Sequence, residues 1–365
     1  MATQESVRQR LDPQIFRLPV DRIRRGYYSD AYFVYTKHVL EREGEHPHVT
    51  MQVFQKQESV LGGIDEAIAV LKLCSGHEQG GEWLSGWDGL EVRALHEGDR
   101  VVPRETVMTI EGDYSLFAHL ETVYLGSLAR RSLIMRNVRE VVEAAGGKQI
   151  FYFPARHDHW LVQTGDGWSA HVAGAIGVST DAQASWWGGR GMGTVPHGLI
   201  AAYGGDTVKA AAVFAAHFHP EMNITVLVDF DNHSTRTALE VADALGDRLW
   251  GVRLDTGEDM VDLSLIDEMG GFRPTGVNQC LVEKVRMELD GAGHERVRIV
   301  ASGGFTAQRI REFEASGVPV DAYGVGSSLI RGQNDFTADV VLLDGRPCAK
   351  AGRRYSPNPR LELVA

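Results

Sequence analysis

Two glycine-rich turns, Ser302-Gly303-Gly304 and Gly324-Val325-Gly326-Ser327, each follow a short run of apolar residues. Glycine has no Cβ atom, so the backbone N–H groups of such turns are accessible. Beside a helix N-terminus these N–H groups can bind an anion. For either turn taken alone, the alternative interpretation is that its glycines only permit a tight turn and bind nothing. Because the two turns follow consecutive strands, we expect them to be neighbours, and together they predict a phosphate-binding site.

The elements that must position these turns form a repeated pattern of strands and helices from about residue 131 onward. Predicted strands cover 149–153, 225–229, 250–255, 297–301 and 320–324, and predicted helices cover 206–217, 234–245 and 277–289. Such β-α units form a parallel sheet, which we expect to close toward a barrel. Polar residues follow several strands, at the edge that carries the chemistry of barrel enzymes: Arg156, Asp229, Asp231, Arg253, Asp255 and Ser302.

The helix after the first glycine turn has recognisable ends in the sequence. Thr306 is its predicted N-cap, and Phe305 and Ile310 are spaced as a hydrophobic staple. Gly317 stands where a left-handed residue would end the helix.

The first part of the chain has a different pattern. Residues 89–121 contain short β-rich runs separated by Glu97-Gly98-Asp99 and Glu111-Gly112-Asp113, which predict antiparallel hairpins. Residues 335–350 form another hairpin pattern, with Asp344-Gly345 at its turn. We expect an N-terminal domain over 1–130, a barrel domain over 131–331, and a C-terminal segment, 332–365, that returns to the first domain.

The composition is that of an ordinary globular protein of 365 residues, 43% of them hydrophobic. A formal net charge of −12 disfavours nucleic acid and anionic membranes as partners, because both require a basic face. Three scattered cysteines suit a reducing compartment, and no segment approaches the length of a membrane span. We therefore expect a cytoplasmic protein. No resident metal site is predicted, because two His-x-His patterns lack a third ligand at zinc spacing: His157, His159, His217 and His219.

Eight motifs in order carry a resemblance to a known family. They are SDAYF (29–33), FPAR (153–156), GTVPH (193–197), VRLDTGE (252–258), VRMELD (285–290), ASGG (301–304), YGVGSS (323–328) and LLDGRPCAKAGR (342–353). The chain resembles nicotinate phosphoribosyltransferases, most closely their archaeal-type branch. The resemblance implies the type II phosphoribosyltransferase fold, an N-terminal α/β sandwich domain plus an incomplete, open parallel α/β barrel. It also implies a homodimer or higher homo-oligomer with shared active sites.

The reaction implied is the formation of nicotinate mononucleotide and pyrophosphate from nicotinate and phosphoribosyl pyrophosphate, coupled to ATP, with Mg²⁺ bound to pyrophosphate or ATP. The resemblance assigns the ribose 5-phosphate to Ser302, Gly303, Gly304, Gly326 and Ser327, and the ribose hydroxyls to Arg253 and Asp255. Asp255 could also reach the magnesium ion, and Asp229 and Asp231 are similar candidates.

The same resemblance assigns the pyridine base to an aromatic clamp of Phe153 and Tyr32, with Tyr32 contributed by the partner subunit. Arg156 and Ser179 would contact the substituent of the ring, and Arg130, beside Arg131, would bind substrate. His197 corresponds to the histidine that ATP phosphorylates. Isolated aromatic residues are more often core, and a solvated helix face is the alternative for the two arginines.

The chain departs from the family pattern around the base. Relatives commonly have Phe-Gly-x-Arg-Arg where this chain has Pro154 and His157, and Thr-Ser-Asn where it has Val178 and Thr180 around Ser179. A phosphoribosyltransferase for another pyridine base, such as nicotinamide, is therefore one alternative, and a noncatalytic homologue is another. A barrel isomerase or aldolase is a further alternative, but no Schiff-base lysine or paired base is evident near a strand end.

Overall fold

The structure, a computed structural model, describes residues 8–365. It divides into two compact units. The first contains the described residues up to Arg136 together with Gly332–Ala365, and the second is Asn137–Arg331. No helix in the described part of the chain combines the length and the apolar character that a bilayer crossing requires.

The strands, in chain order, are β1 (His48–Gln55), β2 (Ser59–Val60), β3 (Gly76–Gln79), β4 (Glu82–Ser85), β5 (Leu90–Ala94), β6 (Arg100–Val101), β7 (Thr106–Asp113), β8 (Gln149–Tyr152), β9 (Gly177–Val178), β10 (Ile224–Leu227), β11 (Leu249–Leu254), β12 (Arg298–Ala301), β13 (Ala322–Val325), β14 (Phe336–Leu343), β15 (Arg346–Pro347) and β16 (Glu362–Leu363).

The α-helices span Val20–Arg24, Ala31–Glu43, Ile64–Cys74, Glu121–Ala144, Gln163–Ala173, Asp181–Ala184, His197–Ala202, Thr207–Phe218, Ser234–Leu245, Gln279–Gly291 and Ala307–Ala315. Helix Ser234–Leu245 has both ends where the sequence predicts them. Helix Gln279–Gly291 begins two residues later than predicted, because Asn278 caps it through a side-chain hydrogen bond to the Leu281 N–H.

The first unit is built on an antiparallel sheet with strand order β15-β14-β1-β7-β5-β16. Side chains of the sheet, such as Met51 and Ile110, and of helix Ile64–Cys74, such as Ile68 and Leu71, form one apolar cluster. The hairpin predicted at Asp344-Gly345 joins β14 and β15, and both turn residues have positive φ angles, 49° and 72°.

The second unit contains the predicted parallel sheet, with strand order β10-β11-β12-β13-β8-β9. The sheet curls into an open half-barrel, so the predicted fold class is confirmed. Phe151, Val300 and Ala322 pack together as a small apolar cluster on the sheet. The observed strands end within two residues of the predictions. For example, β10 stops at Leu227, which frees Asp229 from the sheet to form a hydrogen bond with His197.

The helix that follows β12 has the predicted ends. The Thr306 hydroxyl accepts a hydrogen bond from the Arg309 N–H, and Phe305 and Ile310 are buried on either side of that cap. Gly317 has a φ of 68°, as expected for the residue that ends this helix. These caps fix where the helix begins relative to the turn 302–304.

Candidate active site

A cavity of about 400 Å³ opens at the carboxyl ends of β8, β11, β12 and β13 in the second unit. Nine of the residues predicted for the site line it: Phe153, Arg156, Arg253, Asp255, Ser302, Gly303, Gly304, Gly326 and Ser327. Parallel strands bring the residues that follow them to one edge, which is why positions up to 174 apart in the chain meet here.

The two glycine-rich turns lie on the wall of this cavity, as predicted from their place behind consecutive strands. Gly303 and Gly304 have φ angles of 82° and 72°, which favour glycine because a Cβ atom is strained there. A Cβ at Gly304 would also collide with a carboxylate oxygen of Glu258. A side chain at either position would therefore strain the backbone, and at 304 it would also have to displace the carboxylate of Glu258.

Arg253, Asp255 and Ser302 form one hydrogen-bonded network at the base of the cavity. The Ser302 hydroxyl accepts from Arg253 Nε at 2.8 Å and donates to Asp255 Oδ1 at 2.6 Å. Arg253 Nη2 lies 3.2 Å from Asp255 Oδ2, and both side chains are largely buried. This arrangement fixes the orientation of the Arg253 cation and the Asp255 anion, and both side chains still line the cavity. A site for a polyhydroxylated, charged ligand requires such fixed charged groups.

Phe153 supplies an aromatic face beside that network. Its ring lies 5.2 Å from the Arg253 guanidinium carbon and is stacked on Phe151 with the centroids 5.8 Å apart. A Cβ at Gly324 would come within 2.7 Å of the Phe153 ring. The glycine at this position is therefore needed for the aromatic ring to pack against the strand.

Arg156 and His157 follow Phe153 in a short 3-10 turn, and both line the cavity. Arg156 forms no hydrogen bond or ion pair with the residues between 8 and 365, so its guanidinium is available to an anionic ligand. The His157 ring lies over Gly326, where a Cβ would meet its Cε1 at 3.2 Å. The position that is commonly arginine in relatives is thus filled by an imidazole against the second glycine turn.

His197 and Asp229 form a pair next to the cavity rather than in its wall. His197 Nε2 lies 2.9 Å from Asp229 Oδ1, and the aspartate side chain is almost fully buried. The hydrogen bond to Asp229 raises the pKa of His197, and the charges of Asp229 and Asp255 act in the same direction. Because Nε2 donates to the carboxylate, the lone pair of the neutral imidazole is on Nδ1.

Other predicted residues lie outside the cavity wall. The Ser179 hydroxyl donates to Gln183 Oε1 at 3.1 Å, and Asp231 is paired with Arg236 on the surface. Tyr32 and Arg130 belong to the first unit, where Tyr32 is 60% exposed on helix Ala31–Glu43. Arg131 pairs with Glu66 at 3.0 Å in the same unit, which favours a structural role for this arginine.

Among the cavity residues that were not predicted as site residues are Thr256, Glu258 and Arg331. The Thr256 hydroxyl is buried and has no hydrogen-bond partner within the described residues, and Arg331 donates to the Ser327 hydroxyl at 3.4 Å. Glu258 lies against Gly304. The sequence indicated these residues only by their positions, since Thr256 and Glu258 follow Asp255 within the VRLDTGE motif and Arg331 follows the second glycine turn.

Within the described part of the chain, no three His, Cys, Asp or Glu side chains are grouped so that they alone could hold a metal ion.

Comparisons with known proteins agree with this architecture. Residues 30–132 match the family model for the N-terminal domain of quinolinate phosphoribosyl transferase. The crystal structure of nicotinate-nucleotide pyrophosphorylase from Pyrococcus furiosus is 31% identical with a TM-score of 0.78, and the alignment covers 95% of this chain and 85% of that one. Human nicotinic acid phosphoribosyltransferase, at 16% identity and a TM-score of 0.68, shares the fold, with 90% of this chain and 77% of that chain aligned.

Among curated proteins, nicotinate phosphoribosyltransferase pncB1 of Mycobacterium tuberculosis is 31% identical over 284 residues, which is 75% of this chain and 58% of that protein. The Bacillus subtilis nicotinate phosphoribosyltransferase is 26% identical over 244 residues, 65% of this chain and 45% of its own length. The chain thus spans about half the length of these curated relatives. The open parallel half-barrel with an antiparallel-sheet domain is the type II phosphoribosyltransferase fold. The chain belongs to the nicotinate phosphoribosyltransferase family.

Proposed function

We propose that this protein transfers the phosphoribosyl group of phosphoribosyl pyrophosphate to the pyridine nitrogen of nicotinate, forming nicotinate mononucleotide and pyrophosphate for NAD biosynthesis. The observation that carries the proposal is the convergence, in one cavity, of two glycine turns, the Arg253–Asp255–Ser302 network and the exposed Arg156 beside an aromatic ring. An anion cradle, a ribose site and a flat base site are the three parts that the reaction requires.

The phosphoribosyl half of the substrate fits the glycine turns and the network beside them. The backbone N–H groups of 303, 304 and 326 and the Ser327 hydroxyl would bind the 5-phosphate. Arg253 and Asp255 would bind the ribose hydroxyls, and their mutual hydrogen bonds keep them oriented before substrate arrives. In this reaction positioning and electrostatic stabilisation of the departing pyrophosphate supply most of the catalysis.

The base would stack on Phe153, with its carboxylate bound by Arg156. A planar guanidinium matches a carboxylate through two parallel hydrogen bonds, and Arg156 has no competing partner in residues 8–365. Ser179 is a secondary candidate, because its hydroxyl proton is directed at Gln183 and it would have to rotate to donate to a carboxylate. Arg130 is a further candidate for substrate binding.

The second face of the base would be covered by Tyr32 of another copy of the chain. Tyr27, Tyr28, Tyr32 and Tyr35 are all exposed in the first unit, which favours a homodimer or a higher homo-oligomer with shared active sites. The three cysteines are free, which is consistent with the expected cytoplasmic location.

Magnesium bound to pyrophosphate or ATP would neutralise the negative charge of the leaving group. Asp255 lines the cavity and is the candidate carboxylate for that ion, because magnesium commonly binds one or two carboxylates together with substrate phosphates.

ATP would be a coupled co-substrate. His197 Nδ1 would attack the γ-phosphorus, forming an N–P bond as the bond to the ADP oxygen breaks.

A second candidate function keeps the reaction and changes the base. Pro154, His157, Val178 and Thr180 differ from the common family pattern around the base site, and they favour a nicotinamide-like pyridine as the alternative. A noncatalytic homologue is disfavoured by the intact network of Arg253, Asp255 and Ser302.

The proposal is tested by incubating the protein with phosphoribosyl pyrophosphate, Mg²⁺ and nicotinate, and following nicotinate mononucleotide by chromatography. We expect the D255N variant to lose turnover by about 100-fold or more, because one oxygen and the charge of its carboxylate are removed from the ribose site. D247N is the matched control, since Asp247 is exposed at the opposite end of the same strand. Undiminished turnover in D255N would show that the ribose site is assigned incorrectly.

A further inference from the structure

Arg309 lies directly behind the first glycine turn, outside the lining of the cavity. Its Nη1 donates to the carbonyl oxygen of Gly303 at 3.1 Å, and its Nη2 donates to the carbonyl oxygen of Val277 at 2.7 Å. The guanidinium carbon is 4.5 Å from the centre of the Phe305 ring and 5.8 Å from that of Phe313. One planar group thus joins the turn to the segment before helix Gln279–Gly291.

This position is unfavourable for an arginine on general grounds. Arg309 is in the first turn of helix Ala307–Ala315, where the helix dipole disfavours a cation. Burial lowers the pKa of its guanidinium, although Glu258 nearby acts in the opposite direction. Two carbonyl acceptors and two aromatic faces offset this desolvation, so the surroundings are built around a guanidinium.

The hydrogen bond to Gly303 determines which way the next N–H points. In a trans peptide the carbonyl and the N–H of one plane point in opposite directions. The carbonyl of Gly303 shares its plane with the N–H of Gly304, and Arg309 holds that carbonyl on the side away from the cavity lining. The N–H of Gly304 is therefore directed to the opposite side of the turn. Both residues are glycines, whose backbones lack the steric restriction of a Cβ, so this hydrogen bond restricts an orientation that the residues themselves leave open.

We propose that Arg309 is a positioning residue for the phosphate cradle: it fixes the peptide plane between Gly303 and Gly304 so that the Gly304 N–H faces the 5-phosphate. This inference rests on the proposed phosphoribosyl site and names a residue through which that site is preorganised. Arg309 does not touch the substrate. Its substitution is expected to weaken binding of the phosphate and to leave the base site unchanged.

The test uses R309K, which keeps the charge and the alkyl stem but loses the planar fork that reaches two carbonyls. R311K is the matched control, because Arg311 is on the same helix, half exposed, and paired with Glu140 at 2.8 Å. Binding of ribose 5-phosphate to the full-length wild type and to both variants is measured by calorimetry. The KM values for phosphoribosyl pyrophosphate and nicotinate are measured in parallel, with melting temperatures to verify folding.

We expect R309K to raise the dissociation constant of ribose 5-phosphate about tenfold, because a charge-assisted hydrogen bond that orders the turn is lost. The KM for phosphoribosyl pyrophosphate should rise by a similar factor, while the KM for nicotinate and the behaviour of R311K stay within about twofold of wild type. A purely structural role would lower stability and change both KM values together, and that result would overturn the inference.

The outcome also separates this inference from the proposed function. Unchanged ribose 5-phosphate binding in R309K, with normal turnover, would overturn the inference alone. Weakened binding in R309K, with no nucleotide formed from any pyridine base by the wild type, would support the positioning role and overturn the proposed reaction. Absence of ribose 5-phosphate binding to the wild type would overturn both.

Discussion

Asp255 and Ser302 show how the side chains of this site are coupled. The Ser302 hydroxyl both accepts from Arg253 and donates to Asp255, and Arg253 also pairs directly with Asp255, so each of the three side chains contacts the other two. Such networks are preorganised. Removing one member therefore costs more free energy than the loss of a single hydrogen bond. The proposed ribose site is therefore a unit rather than three independent contacts.

The pair of His197 and Asp229 predicts a pH dependence of ATP coupling. In the proposed coupling the neutral imidazole is the form that accepts the phosphoryl group, and the hydrogen bond to Asp229 raises the pKa of His197 above its ordinary value of 6.5. Stimulation by ATP should therefore increase with pH as His197 loses its proton. In the D229N variant the charge is removed, the pKa of His197 falls, and the midpoint of this increase should move to lower pH.

The measurement is the ratio of initial rates with and without ATP across the neutral pH range. H197A provides the control, since it should retain slow basal transfer and show no stimulation at any pH. An identical midpoint in wild type and D229N would refute the proposed coupling between the two side chains.

The residues of the candidate site were predictable from the sequence only where the path of the backbone alone dictates their position. Asp255 and Ser302 were found because each directly follows a strand of a parallel sheet. Arg309 and Thr256 were not, because their contacts depend on side-chain paths from neighbouring turns. Ser179 was predicted by resemblance, yet its hydroxyl is directed to Gln183 by the adjoining helix cap.

The turn from β12 into helix Ala307–Ala315 offers a prediction with an internal control. Gly304 and Gly317 have similar φ angles, 72° and 68°, so alanine at either site should lower the free energy of unfolding by about 1 kcal/mol. A Cβ at Gly317 meets nothing within 4 Å, whereas a Cβ at Gly304 meets Glu258 on the cavity wall.

Calorimetric titration with ribose 5-phosphate distinguishes the two variants. We expect G304A to bind the ligand about tenfold or more weakly, because the Cβ obstructs the cradle and displaces the turn. G317A should bind it as wild type does. Equal binding by G304A and wild type would show that this turn does not contact the phosphate.

The elements themselves were largely predictable because their signals are local. Helix Ser234–Leu245 and the capped helix Ala307–Ala315 follow from apolar spacing, Thr306 and Gly317. The observed ends of elements differ slightly from the predicted ones where a side chain competes with the backbone for a hydrogen bond. Strand β13 begins at Ala322, two residues later than predicted, because the preceding Asp321 bonds through its carboxylate to the Ile299 N–H.

The proposed sharing of active sites between subunits predicts complementation between two inactive variants. D255N lacks the proposed ribose carboxylate, and Y32A lacks the aromatic group that a partner subunit is proposed to supply. In a mixed population of dimers, one site of each heterodimer contains both native residues, so about a quarter of all sites should be active. The assay is turnover of the two variants separately and after unfolding and refolding together.

The control is a mixture of D255N with R253A, both in the same subunit's part of the site, which should stay inactive. No recovery from the D255N and Y32A mixture, in a protein that sediments as a dimer, would contradict the shared site. Such a site was expected only from family resemblance, because periodicity and turn chemistry describe one chain and contain no signal for residues supplied by another.

The proposed function is tested most directly by the initial rate of nucleotide formation from phosphoribosyl pyrophosphate and Mg²⁺. Nicotinate, nicotinamide and quinolinate are supplied at equal concentration in parallel reactions, each with and without ATP. We expect nicotinate mononucleotide to form fastest and ATP to accelerate its formation. Faster reaction with nicotinamide or quinolinate would contradict the assigned base, and no nucleotide from any of them would contradict the proposed reaction.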